Sequence, residues 1–186
     1  MGTRKLVDIT QFIKQSFGLW KAQRSAHHLA FAHFEAVESR IKVSEITPDD
    51  SRVIELCRSN QIEPKRAIMP FQMTWEGHSD WDDGEVMEGS CILVPIPDKD
   101  RPNQGKLLRD QGYAEMIAAV GNYNITEDGT FILITEYKRA AAEEKIWFVN
   151  PNLRCRVSLI KTSNGTGVVT ASFSSEIRSL KADSNF

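Results

Sequence analysis

Two arginines one residue apart, Arg154 and Arg156, stand in the run LRCRVSLIK, with Ser158 two positions further on. On an extended strand alternate residues point the same way. These three therefore share one face, and Leu153, Cys155, Val157 and Leu159 share the other. A guanidinium offers a planar fork that grips a carboxylate through paired hydrogen bonds, so two side by side suit a ligand carrying two acid groups. The same pattern also describes a solvated face over a leucine-lined core, and alternation leaves both readings open. If the arginines clamp a ligand, alanine at Arg154 or Arg156 is expected to weaken binding and leave the fold intact.

The following segment repeats the asymmetry, with Ser172, Ser174, Glu176 and Arg178 opposite Ala171, Phe173, Ser175 and Ile177. Two polar faces side by side line either one pocket or one wet surface. Earlier in the chain Met69, Phe71, Met73 and Trp75 share a face. They offer soft and aromatic surface to a flat conjugated ligand, or ordinary core packing.

Other chemistries find little support. His27 and His28 fall on opposite strand faces and His33 has no partner at helical spacing, so no metal site is expected. Cys57, Cys91 and Cys155 are odd in number and lack CxxC spacing, which suggests neither a disulfide framework nor structural zinc and fits a reducing compartment. There is no glycine-rich phosphate loop, nucleophile elbow or zinc-protease motif, and the carboxylates are too scattered for a dyad to be picked by spacing.

The elements that must position these residues are mostly strands. Asp8 caps an opening helix whose Ile9, Phe12, Ile13 and Phe17 lie along one face. A second helix is expected from Thr47-Pro48-Asp49-Asp50, with Thr47 as the cap, Pro48 at the first position, and Val53, Ile54, Leu56 and Cys57 on its buried side. After about Ala67, strands alternate with turn signals at Glu76-Gly77, Asp83-Gly84, Pro97-Asp98, Asn103-Gln104-Gly105, Asp128-Gly129, Asn150-Pro151-Asn152 and Asn164-Gly165. Asn164-Gly165 joins LRCRVSLIK to GVVTASFSSEIR as the clearest hairpin. This punctuation argues for an antiparallel meander closed as a barrel or stacked as a sandwich, with a lipocalin-like barrel the preferred architecture.

The chain has 186 residues, 41% of them hydrophobic, which is enough for one core, and it reads as one domain over 1–186 with a frayed tail at 181–186. The 23 Lys and Arg against 25 Asp and Glu leave no field strong enough to draw nucleic acid or anionic lipid, so any anion site is local. No apolar run approaches a membrane span and the N-terminus lacks signal-peptide features, so a cytoplasmic protein is expected.

Several stretches in order resemble the S-type, or CpcS/CpeS, family of phycobiliprotein lyases: GLWKAQRSAHHLAF (18–31), MTWEGHSDWD (73–82), EGSCILVPIPD (88–98), GKLLRDQGYAE (105–115), EEKIWFVNPNLRCRVS (143–158) and ASFSSEIR (171–178). The resemblance spans nearly the whole chain. It implies an up-and-down antiparallel barrel of about ten strands, of modified lipocalin or fatty-acid-binding type, with an N-terminal helix and a second short helix. Gly18-Leu19-Trp20 is similar to the lipocalin GxW signature.

The implied activity is non-covalent binding of a free phycobilin and its stereospecific thioether attachment to a cysteine of a phycobiliprotein subunit, with phycoerythrobilin favoured over phycocyanobilin. By the same resemblance Met73 and Trp75 contact the chromophore, Arg154 and Arg156 hold its propionates, and Ser158 adds a hydrogen bond. Glu144 is the acidic partner near the pyrrole nitrogens, with Glu176 a second candidate; Glu144 and Arg154 are the residues assigned to catalysis. The alternatives at Glu144 and Glu176 are a solvated hairpin residue and a salt bridge to Arg178. Because the nucleophile belongs to the acceptor, Cys155 is expected to be a packed core residue. No intrinsic cofactor is implied. The bilin is received from a bilin reductase, the location is cyanobacterial cytosol or plastid stroma, and a homo- or heterodimer is compatible. A bilin carrier serving another lyase and a fatty-acid carrier are the competing readings.

Overall fold

The computed structural model describes residues 8–80, 86–111, 118–162 and 167–180. Asp8 caps α1 (Ile9–Ser16), its side-chain oxygen accepting the Gln11 N–H at 2.9 Å, as expected from the sequence. The chain then enters β1 (Gly18–His28) and β2 (His33–Glu45), two long strands joined through a short 3-10 turn at Leu29–Phe31. That turn closes with Ala32 in the left-handed region at φ 48°, and it contains no Gly, Pro, Asn or Asp to announce it.

The second helix, α2 (Ser51–Ser59), begins later than the sequence suggests. Thr47 is not its cap: the Asp50 N–H donates to the Thr47 carbonyl in a preceding tight turn, and the Asp50 carboxylate accepts the Arg52 N–H at 2.9 Å. Val53, Leu56 and Cys57 are buried, whereas Ile54 is only half-buried.

Eight further strands follow: β3 (Phe71–Ser79), β4 (Val86–Pro97), β5 (Gln104–Arg109), β6 (Ala119–Ile125), β7 (Phe131–Glu136), β8 (Ala140–Asn150), β9 (Leu153–Thr162) and β10 (Val168–Arg178). Each pairs antiparallel with its predecessor and β10 pairs with β1, so the sheet closes and leaves no open edge. The expected ten-stranded up-and-down barrel with two helices is the fold. Glu76-Gly77 is not a turn but part of β3. A Cβ at Gly77 would sit 2.8 Å from the Glu38 carbonyl oxygen, so glycine there answers the close approach of β2. The β9–β10 hairpin forms as expected, but its Asn164-Gly165 turn lies outside the described residues, as do Asp83-Gly84 and the tail 181–186.

Two apolar clusters flank the wall. Inside one end of the barrel, Ile9, Phe12 and Ile13 of α1 meet Leu93, Leu107, Phe131 and Leu133, with Phe12 stacked on Phe131 at 4.7 Å. Outside, α2 lays Val53, Leu56 and Cys57 on Ile92, Val94, Ile96 and Leu108. Residues Cys91 to Ile96 are consequently buried without alternation, because β4 is covered on both faces. No helix among the described residues is long and apolar enough to cross a membrane.

Candidate functional site

The polar faces of β9 and β10 point into the barrel. Register sets Glu176 opposite Arg154, Ser174 opposite Arg156 and Glu144 opposite Ser158, all on the inner face. Phe173 and Ile177, on the other face, are about half exposed. Polar side chains thus line the lumen here and apolar ones face outward. Cys155 accordingly lies half-buried on the outer face, not in the core, because the face it shares with Leu153 and Val157 is the outside of the barrel.

The inward charges are organised as an alternating chain. Arg154 Nε donates to Glu176 Oε2 at 2.5 Å, Arg156 Nε to Glu176 Oε1 at 3.0 Å, Arg156 Nη1 to Glu144 Oε1 at 3.2 Å, and Arg109 Nη1 to Glu144 Oε2 at 3.2 Å. Glu176, Glu144, Arg154 and Arg109 are 1%, 2%, 3% and 4% exposed. Burying an isolated charge costs many kcal/mol, so such side chains persist only when paired and hydrogen-bonded. Glu176 is therefore bound to Arg154 and Arg156, not to Arg178, and Glu144 is no solvated hairpin residue. Arg109, on β5, is a member of this chain that the strand-by-strand reading missed. It arrives from across the lumen, since β6 and β7 separate β5 from β8 around the wall.

Three guanidiniums against two carboxylates leave this interior one positive charge in excess. Several donors have no hydrogen-bond partner among the described residues: Arg154 Nη2, Arg109 Nε, the Ser158 hydroxyl and Arg24 Nε. Buried donors are normally satisfied, and a cluster of unsatisfied ones beside a cationic chain fits an anionic ligand.

The charges tune one another. Burial alone would raise the Glu176 carboxyl, but Arg156 and Arg154 hold it below the ordinary value. Desolvation pushes Arg154 down to about 10, with the like charges of Arg156 and Arg178 adding to it and Glu176 opposing. Desolvation also works on Arg109, yet the adjoining Glu144 more than offsets it and leaves its guanidinium raised.

Trp20 of the GLW segment anchors this wall. Its indole is fully buried between two guanidiniums, Arg154 at 4.4 Å and Arg178 at 4.2 Å from the ring centroid, and donates to the Ser16 carbonyl at 2.9 Å. Gly18 turns the chain at φ 122°, and a side chain there would strike the Arg178 guanidinium.

Met73 and Trp75 face the lumen and divide its free space into two lobes. One lobe, of about 210 Å³, is lined by Arg24, Arg156, Ser174 and Glu176; the other, of about 320 Å³, by Arg24, His28, Cys91 and Arg109. The Trp75 indole lies against Gly89 of β4, its register partner, so closely that a Cβ there would overlap the ring. Arg24 belongs to both lobes and was not singled out from sequence; its place within QRSAHH was the available signal. Beneath α1 only about 50 Å³ remains free. The structure therefore brings Met73, Trp75, Glu144, Arg154, Arg156, Ser158 and Glu176 to one lumen, together with Arg24 and Arg109.

A closed antiparallel barrel with a helix at one end, a GxW strand and a charged lumen defines a lipocalin-type barrel. The family model described as CpeS-like protein matches residues 8–179. "Chromophore lyase CpcS/CpeS 3" of Trichodesmium erythraeum (strain IMS101) is 58% identical over 173 residues, covering 93% of this chain and 100% of that protein. "Putative phycoerythrobilin lyase CpeS" of Microchaete diplosiphon is also 58% identical, over 88% of this chain and 73% of that one. The solved S-type phycobiliprotein lyase CPES from Guillardia theta superposes with a TM-score of 0.82 at 45% identity, covering 94% of each chain. The chain belongs to the CpeS-like family of chromophore lyases.

Proposed function

We propose that the chain binds a free phycobilin non-covalently in the lumen and directs its stereospecific attachment to a cysteine of a phycobiliprotein subunit. The observation that carries this reading is the buried Arg–Glu chain, with its excess positive charge and unpartnered donors, beside two lobes separated by Trp75. A bilin is flat, conjugated and doubly carboxylated. Its propionates suit Arg154, Arg156 and Ser158, its rings suit Met73 and Trp75, and its pyrrole nitrogens suit Glu144 and Glu176. Lumen charges that hold a protonated bilin extended raise the electrophilicity of ring A.

In the reaction the acceptor's sulfur bonds to the ethylidene carbon and its proton is delivered across the same double bond. No electrons leave the pair of reactants. The barrel supplies orientation and exclusion of water rather than a nucleophile. The name of the Microchaete diplosiphon relative, "Putative phycoerythrobilin lyase CpeS", supports phycoerythrobilin over phycocyanobilin as the chromophore. The reading extends to a bilin reductase as donor, to a homo- or heterodimer, and to the cytoplasm as location. A fatty-acid carrier is less well supported, because α1 fills the apolar end and leaves about 50 Å³, too little for an acyl chain.

The test is co-expression with a bilin-producing system and an apo-phycobiliprotein. A fluorescent thioether adduct at one acceptor cysteine is expected. Bilin binding without transfer would reduce the role to that of a carrier, and absence of binding would remove the tetrapyrrole reading.

A further inference from the structure

At the end of the lumen remote from α1, a second buried acid stands apart from the Arg–Glu chain. Glu35 of β2 is 7% exposed. Ser79 Oγ donates to its Oε1 at 2.7 Å, His28 Nε2 lies 2.9 Å from its Oε2, and Arg24 Nη2 lies 3.6 Å from the same oxygen. Register explains the convergence. Ala26 is the residue opposite Glu35, and Arg24 and His28 flank Ala26 on the same face of β1. The alanine leaves room for both longer side chains to lean toward one carboxylate. Ser79 arrives from β3 on the other side, one register step away through Val37.

We propose that Glu35 is a positioning residue for the chromophore site, setting Arg24 in the lumen wall so that its unpartnered Nε faces the carboxylate of the bound bilin. Arg24 is the charged side chain that, with Met73 and Trp75, lines both lobes, and its Nε is buried without a hydrogen-bond partner among the described residues. Its side chain is 32% exposed, so without a counter-charge it has an alternative, to swing its charge toward water. Glu35 removes that freedom. Burial opposes its ionised form, but the hydrogen bonds from His28 and Ser79 and the charge of Arg24 bring its carboxyl below the ordinary value. Glu35 itself lines neither lobe, so it acts through Arg24 and is no catalytic residue.

The inference rests on the bilin reading of the lumen, and a double-mutant cycle on the full chain separates the two. Free phycobilin is titrated into wild type, Glu35→Gln, Arg24→Gln and the double variant, following the red-shifted absorption of the bound chromophore. Glu35→Gln keeps the size and much of the hydrogen bonding but loses the charge. Its affinity is expected to fall roughly tenfold, the scale of one charge-assisted contact. The decisive expectation is that Glu35→Gln adds nothing once Arg24 is already Gln. Independent, multiplicative losses would make Glu35 merely structural and overturn the proposal. Absence of bilin binding by wild type would overturn the reading of the lumen and this role together. If Glu35→Gln fails to fold, Glu35→Asp retains the charge but withdraws it from Arg24, and the same cycle with Arg24→Gln decides in the same way.

Discussion

Arg156 lies 3.2 Å from Glu144 and, through its Nε, grips Glu176 as well, so one guanidinium is the shared counter-ion of two carboxylates buried to within 2%. Removing it would take one of two cationic partners from each acid, leaving Glu176 to Arg154 and Glu144 to Arg109. Arg156→Met is therefore expected to destabilise the barrel by about 1.5–3 kcal/mol, the usual worth of a hydrogen bond to a charged group, since neither acid is left without a counter-charge. Urea unfolding measures this. It also tests the expectation from sequence that alanine at Arg156 leaves the fold intact. A loss under about 0.5 kcal/mol would mean that Arg154 and Arg109 alone satisfy the two acids.

Gly89→Ala tests the aromatic platform without touching a charge. Its Cβ would overlap the Trp75 indole, so the ring must leave the position between the lobes. Chromophore affinity should fall roughly tenfold, in line with losing one aromatic contact. Thermal stability should drop far less than in Arg156→Met. Unchanged titrations would show that Trp75 is not a contact.

The acid limb of the stability curve reports on Glu176. Its carboxyl is lowered from the ordinary 4.5 in the fold, because Arg156 and Arg154 outweigh the effect of burial. A lowered carboxyl contributes its stability in full above the ordinary value and loses it as pH falls through the folded one. Urea midpoints of wild type and Glu176→Gln should thus differ most near neutrality and converge progressively below about pH 4.5. A gap that stays constant into acid would contradict the pairing.

The chain's own thiols are expected to stay out of the chemistry. Cys91 faces the lumen, but desolvation pushes its thiol up to about 11, and Cys155 sits on the outer face with its thiol also raised by burial. Cys155→Ser should transfer bilin at the wild-type rate. Denaturing electrophoresis should show no covalent chromophore on the lyase, and a stable adduct on Cys91 would reverse the assignment.

Much of the architecture was legible because closure of an antiparallel meander follows from short strands and turn chemistry. The exceptions have physical causes. The first hairpin hides its turn in Leu29-Ala30-Phe31-Ala32, which carries no turn-forming residue, and Gly77 imitates a turn while serving a close strand approach. On β9 and β10 alternation identified which side chains travel together but not which face turned inward. Hydrophobicity alone favours placing Leu153, Val157 and Phe173 inside. The opposite holds because Glu144 and Glu176 neutralise the arginines most effectively within the lumen. Glu144 stands on β8 and Glu176 on β10, with Arg109 reaching Glu144 from β5 across the barrel, and no local spacing pairs these acids with Arg154 or Arg156.

The Arg109–Glu144 pair joins walls that the hydrogen-bonded sheet does not connect directly. Strand pairing fixes the circumference of a closed barrel but leaves its cross-section free to be round or oval. A charged tie-rod spanning the interior removes that freedom. The width of the lumen is thereby governed by the length of two side chains, and shortening one of them, as in Glu144→Asp, would reshape the binding space without altering a single backbone hydrogen bond.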